Sequence, residues 1–429
     1  MRTLPQRLYY GWIVLAAVSG LNFANGATAI GVLTVFILPL TEEFGWTRTQ
    51  ISVVTSVGAI FGALIAPVMG RVTDTWGARL PLTLGSICIV LATWYLAVMQ
   101  SLLGFYVAFS LARIADQGCV QACSPAAIAK WFQRYRGRAM SVLFLASSAG
   151  GVLLPLLVHS IIQAWHWRTA WGILSGIMLG VGVLPSALLL RRQPEDVGLS
   201  VDGETLPRQT TGALPPSIEA CPSAGVHAID AWSLREALRT PTLWLLLAAA
   251  FLIGVGSTGV GLHVVPYLHQ QGVAPTAAVG IVSGSFLASG VSNLLWGFSA
   301  DRLAVRPLLV VMYALRAVSL GVLLIADTVP KASLFALVQG FADGGIRPLA
   351  AVLLANYYGR QHLGAIYGFE RAVQVLGFAL GPLVSGATFD LTQSYHDAFV
   401  AFLVLSSIGT LCVACARQSQ QTLSRSPCT

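Results

Sequence analysis

The stretch GRVTDTWGAR, residues 70–79, returns as GFSADRLAVR at residues 297–306. Glycine, aspartate and arginine keep their places 227 positions apart: Gly70 with Gly297, Asp74 with Asp301, Arg79 with Arg306. Two prolines share that offset, Pro39 with Pro266 and Pro155 with Pro382. Five matches at one spacing, spread over 117 residues of each half, mark a duplicated unit.

Composition says what the unit is made of. Of the 429 residues, 55% are hydrophobic and 10% charged, against about 25% charged in soluble domains. Uncharged apolar runs near the ~20 residues needed to cross a bilayer recur along the chain. We read twelve: 11–38, 50–69, 80–99, 102–126, 139–162, 169–190, 242–268, 275–298, 307–326, 332–355, 364–388 and 396–416. The first resembles a signal peptide, with Arg2 and Arg7 ahead of an apolar core, but its run continues to Leu38, too long for one. It is read as an uncleaved first helix. Between the sixth and seventh runs lies a Pro, Gly and Ser-rich stretch, read as a cytoplasmic linker. The expected organisation is a six-helix bundle over 1–190, a linker over 191–240 and a second bundle over 241–429. AWSLREALRTP, just before the seventh run, is expected to form a short surface helix.

The net charge of +8 follows from orientation. With the N-terminus inside, 18 of the 25 lysines and arginines fall on the cytoplasmic side and three on the outside. That is the positive-inside asymmetry, so nucleic-acid binding is not needed to explain the charge. Both termini are expected in the cytoplasm. Arg113, Arg316, Arg347 and Arg371 remain, all inside spans. Five of the seven cysteines also lie in spans, and the Cys412-x-x-Cys415 pair lacks the further ligands of a zinc site.

The repeated loop has a physical reading. Gly70 lets two helices approach closely. Asp74 can meet the N-terminal end of a neighbouring helix or an arginine, Gly77 permits a tight turn, and Arg79 supplies the positive partner. Gly70, Asp74, Gly77 and Arg79, with Gly297, Asp301 and Arg306, are expected to form a latch that breaks in one conformational state. In the second copy, Ala304 stands where the turn glycine belongs.

The pattern G-x-x-x-D-x-x-G-x-R resembles the cytoplasmic loop signature of the major facilitator superfamily. YYGWIVLAAV (9–18), EEFGWTRTQIS (42–52), RRQPEDVGL (191–199), HVVPYLHQQGV (263–273) and GPLVSGATFD (381–390) look like its bacterial monocarboxylate and oxalate–formate branch. The resemblance covers essentially the whole chain. It implies an all-α membrane protein, twelve transmembrane helices in two pseudo-symmetric six-helix bundles, in the bacterial inner membrane. It also implies a transporter of small organic anions, by proton symport or by exchange (antiport). Two departures stand out. Much of that branch binds the substrate carboxylate with an arginine four residues before the second loop glycine, where this chain has Asn293. Arg113 stands five residues before Gly118, where the superfamily pattern has four.

GFADGGIRPLAAVLL, residues 340–354, carries Asp343 and Arg347 inside an apolar run. Each isolated charge at mid-bilayer costs at least ~2.5–3.5 kcal/mol. Arg113, Asp116, Arg316, Asp343, Arg347, Glu370 and Arg371 would together cost on the order of 20 kcal/mol facing lipid, so they must face the interior, paired or wet. Spacing pairs Asp343 with Arg347 and Arg113 with Asp116 on shared helix faces. Four arginines against three acids favour an anionic ligand. Arg347 and Arg113, then Arg371, are the candidate anchors, because guanidinium holds carboxylate bidentately and keeps its proton. Burial favours the protonated carboxyl unless a cation holds it ionised, making Asp343, then Glu370 or Asp116, the candidate proton carrier. Substrate at Arg347 would then release Asp343 to take a proton. Asn25 and Asn293 are candidate cavity residues, and His263 a candidate for titration near neutral pH.

No nucleotide-binding loop or H-E-x-x-H motif is present, so neither ATP drive, an enzyme, a cofactor nor a metal is expected. The competing readings are an exporter of hydrophobic or cationic compounds and a transport-inactive membrane sensor. The duplicated architecture makes a functional monomer sufficient.

Overall fold

The computed structural model of the protein describes residues 9–46, 48–203 and 232–418. All regular structure among them is helical. The first half comprises α1 (Tyr10–Ala24), α2 (Ile30–Phe44), α3 (Arg48–Trp76), α4 (Arg79–Val98), α5 (Leu102–Ala115), α6 (Gln121–Trp131), α7 (Arg136–Ala164), α8 (Trp167–Ile177) and α9 (Leu184–Leu189). After α10 (Leu234–Ala237) come α11 (Pro241–Gln270), α12 (Pro275–Ala300), α13 (Val305–Leu324), α14 (Val329–Tyr358), α15 (Leu363–Thr392) and α16 (His396–Cys415).

Eleven helical stretches among the described residues are long and apolar enough to cross a membrane. Two of them carry a break. A 3-10 turn at Asn25–Thr28 joins α1 to α2, and a π turn at Met178–Val183 joins α8 to α9. The expected fourth crossing, 102–126, falls outside that set although it is helical from Leu102 to Trp131 through a π turn at Asp116–Val120. Arg113, Asp116 and Gln117 interrupt its apolar run.

Local chemistry explains several ends. Ser101 Oγ caps α5 by accepting from the Gly104 N–H at 3.1 Å. Thr240 caps α11 in the same way, with Pro241 at the first helical position. The short helix α10 opens with a reciprocal capping box between Ser233 and Glu236. The expected linker begins with 3-10 turns at Pro194–Val197 and Val201–Gly203, while its part at 204–231 lies outside the described residues. Arg2, Arg7, Arg208 and Arg425 lie outside them too.

The packing repeats as the sequence does. In the first half α1 packs on α7, α3 and α4 on α5, and α4 on α8. In the second, α11 packs on α15, α12 and α13 on α14, and α13 on α16. The halves meet through α3 against α15 and α12 against α7. Leu64, Leu156, Leu287, Leu383 and Leu411 point outward, each more than 60% exposed, as a lipid-facing surface requires.

Candidate functional site

Two helix irregularities assemble the polar cluster of the first half. The 3-10 turn after α1 brings Asn25 Nδ2 to Asp116 Oδ1 at 2.6 Å and turns the Thr28 carbonyl toward Arg113 Nη1, which donates to it at 3.2 Å. The π turn at 116–120 holds Asp116 and Gln117 inward; such turns recur at functional sites. Asp116 Oδ2 accepts from Arg113 Nη1 at 2.8 Å and from Gln117 Nε2 at 2.9 Å. The expected Arg113–Asp116 pair therefore forms, and both oxygens of Asp116 are occupied. Gln117 Oε1 in turn accepts from Arg371 Nη2 at 3.2 Å, linking the halves at mid-depth. Arg371 also donates to Gln374, and its guanidinium lies over the Phe378 ring.

The second half departs from expectation. Asp343 pairs with Arg316 of α13, a fully buried arginine, and not with Arg347. Sharing a helix face brought Asp343 and Arg347 near each other, but α13 packs alongside α14 and supplies the nearer cation. Among the described residues Arg347 has no ion pair or hydrogen bond. It lines a cavity of about 230 Å³ between the halves, with Phe144 and Ser148 of α7, Ser257 of α11, Asn293 of α12, Asp343, and Gln374 of α15. The Asp343–Arg347 pair on which the expected competition rests is therefore not formed, although both residues line the cavity.

Glu370 is buried and forms no ion pair among the described residues, and the charges it senses are Arg371 and Arg347. Asn25 serves Asp116 and is not among the residues lining the cavity. His263 is a further correction: its ring lies 5.0 Å from that of Tyr395, and it does not line the cavity.

At the loop-motif end the two aspartates act alike. Asp74 accepts from the N–H groups of Gly364 and Ala365, at 2.9 and 2.8 Å, at the start of α15. Asp301 accepts from the Gly137 and Arg138 N–H groups, at 2.7 and 3.4 Å, at the start of α7. Each thus holds a helix N-terminus of the opposite half, where the macrodipole favours an anion. Burial raises the Asp301 carboxyl above its ordinary value, while the two N–H bonds and the Arg138 charge oppose that rise. A Cβ on Gly70 would collide with the Gly364 carbonyl, so glycine is required there.

The arginines of the motif do not partner these acids. Arg79 is exposed at the first turn of α4, and Lys130 is the cation beside Asp74, at 3.9 Å. Arg306 donates to the Val413 and Ala414 carbonyls at the end of α16, while Arg138 pairs with Asp301 at 3.0 Å. Both motif arginines sit in the first turn of the helix that follows the aspartate, and other cations lie nearer the acids. Reading the motif alone missed Lys130 and Arg138. It also missed that Asp116 and Asp343 share the 227-residue offset, each bound to an arginine of its own half.

The sequence pattern of the Major Facilitator Superfamily matches residues 15–285 and 264–426. An uncharacterised MFS-type transporter, YcxA, of Bacillus subtilis (strain 168) is 24% identical over 403 residues, 92% of this chain and 91% of that one. The oxalate:formate antiporter of Oxalobacter formigenes is 23% identical over 380 residues, covering 87% and 84%. Monocarboxylate transporter 11 of Mus musculus is 25% identical over 418 residues, covering 93% and 85%. Among solved structures, the human organic anion transporter MFSD10 superposes with a TM-score of 0.71 at 16% identity, covering 96% of this chain and all of that one. FucP in the outward conformation gives 0.70 at 14% identity, again over 96% of this chain and all of that one. The duplicated loop, the repeated packing and these likenesses converge: this multi-pass membrane protein belongs to the major facilitator superfamily of transporters.

Proposed function

We propose that the protein is a secondary active transporter of a small organic anion, a monocarboxylate or similar, working by alternating access across twelve crossings. In this reading it sits in a bacterial inner membrane with both termini and the loop motifs inside, functions as a monomer, and is closed at the loop-motif end in the state described. The observation that carries the reading is the unpaired Arg347 guanidinium on a cavity between the halves. A half-buried guanidinium with no hydrogen bond or ion pair leaves its donors open to a ligand, and carboxylate fits the guanidinium fork. Arg347 would thus provide from α14 the carboxylate anchor that Asn293 lacks. Arg371 shapes the adjoining wall through Gln374. The oxalate:formate and monocarboxylate relatives support the substrate class.

Proton coupling is assigned to Glu370. Asp116 and Asp343 are held by their own arginines, whereas Glu370 has none within ion-pair distance. A cavity lined by arginine disfavours the export of cations.

Uptake of radiolabelled formate, oxalate and lactate into proteoliposomes, with and without a pH gradient, tests the proposal. Arg347→Gln is expected to reduce carboxylate uptake by about tenfold or more, the loss of one charge-assisted contact. Glu370→Gln is expected to keep exchange while losing gradient-driven accumulation. Counterflow of lipophilic cations without carboxylate flux would refute the anion reading.

A further inference from the structure

A second cavity, about 370 Å³, lies where the halves meet at the loop-motif end. Lys130, Arg192, Arg360 and His362 line it with two acids, Asp74 and Glu195. Both acids are already engaged. Asp74 holds the start of α15 through both oxygens, and Glu195 Oε1 accepts from Arg360 Nη2 at 2.5 Å. Arg360 Nη1 donates to the Lys130 carbonyl at 3.1 Å, and Lys130 Nζ to the Thr73 carbonyl at 2.9 Å. Among the described residues, the side chains of Arg192 and His362 make no hydrogen bond or ion pair. Arg192 comes from the end of the first half, its stem against Gly77, and His362 precedes α15 in the second.

We propose that this cavity binds a phosphate-bearing anion between Arg192 and His362, and that the bound anion clamps the loop-motif end closed. The free donors approach from both halves, with the buried Lys130 ammonium on the same wall, which suits an anion with several acceptor oxygens. A ligand held by both halves binds the closed state better than an open one, and its differential affinity sets the population shift. The phosphate could belong to a soluble solute or to a lipid headgroup of the adjacent leaflet, and the two sources are separable. This site is independent of the proposed substrate at Arg347.

The test uses the purified full-length protein. Thermal unfolding is followed in detergent with inorganic phosphate against chloride at equal ionic strength, and in nanodiscs of phosphatidylcholine with and without phosphatidylglycerol. At least one probe is expected to raise Tm by a few degrees. It should also slow amide hydrogen exchange at Gly364 and Ala365. The Arg192→Gln/His362→Gln double variant should abolish both effects, while Arg347→Gln keeps them. A response to phosphate identifies a soluble ligand, and a response to phosphatidylglycerol alone identifies a headgroup. The proposal is overturned by no rise with either probe, by a rise without slower exchange, by a rise that survives in the double variant, or by one that vanishes in Arg347→Gln.

Discussion

Asp74 and Asp301 occupy equivalent loops of the two halves, and each caps a helix of the half it does not belong to. Their settings differ. Asp74 is almost wholly buried, spends one oxygen on each of two N–H groups, and has the buried Lys130 ammonium 3.9 Å away. Asp301 makes one good bond and one long one, and its cation, Arg138, is partly exposed. Duplication has preserved the contact between acid and helix start but not the neighbouring cation or the turn. The conserved physics is therefore the charge at the macrodipole, and the rest was rebuilt around it.

The largest expected effect follows from that burial. Asp74→Ala leaves two backbone donors and a buried ammonium without partners, a loss of about 3–5 kcal/mol. Asp301→Ala strands the buried Gly137 N–H but leaves a guanidinium, that of Arg138, which is partly exposed, a loss of about 1–3 kcal/mol. Thermal unfolding of the two purified variants in one detergent checks the order. Equal losses would mean that the two loops are energetically equivalent despite their geometry.

How much of this could be read in the sequence depends on its range. The duplication and the apolar runs are one-dimensional signals, and they gave the helices and the family, while the loop motif offered Asp74 either a helix start or an arginine, and the helix start is what it meets. The partners of buried charges are three-dimensional. Spacing along one helix paired Arg113 with Asp116 correctly, because the π turn keeps both side chains inward. The same argument failed at Asp343, since Arg316 lies 27 positions away and reaches it only through packing of α13 on α14. The break at Asn25–Thr28 was hidden because Asn-Gly-Ala-Thr sits within an otherwise apolar run. His263 misled because a polar residue on an apolar helix looks the same whether it faces a cavity or an aromatic ring.

The glycines sharpen the comparison at an intermediate scale. A methyl group on Gly70 would meet the Gly364 backbone carbonyl, which cannot turn aside. On Gly297 it would meet the Ser141 hydroxyl, which can rotate, but also the Ser141 Cβ at 2.4 Å and the Gly137 carbonyl at 2.7 Å, which cannot. Overpacking of this kind costs about 1–3 kcal/mol. Gly70→Ala, with the shorter approach to a backbone carbonyl, is expected near the top of that range and Gly297→Ala below it, read from the unfolding midpoints. The reverse order would show that α12 and α7 are the tighter crossing.

The smallest effects belong to the turns. Gly77 has φ +89°, in the left-handed region, with the Arg192 stem packed over it. Ala304, its counterpart, has φ −62° and needs no such freedom. Gly77→Ala should therefore cost about 1–2 kcal/mol in backbone strain alone. Ala304→Gly should cost only about 0.4–1 kcal/mol, through the added freedom of the unfolded chain. The second value has a different origin from the first, and the double variant separates them. Strain at Gly77 and unfolded-state entropy at residue 304 act at independent sites, so their effects on stability should add. A clear departure from additivity would mean that the two loops are coupled through the end of the bundle where the halves meet.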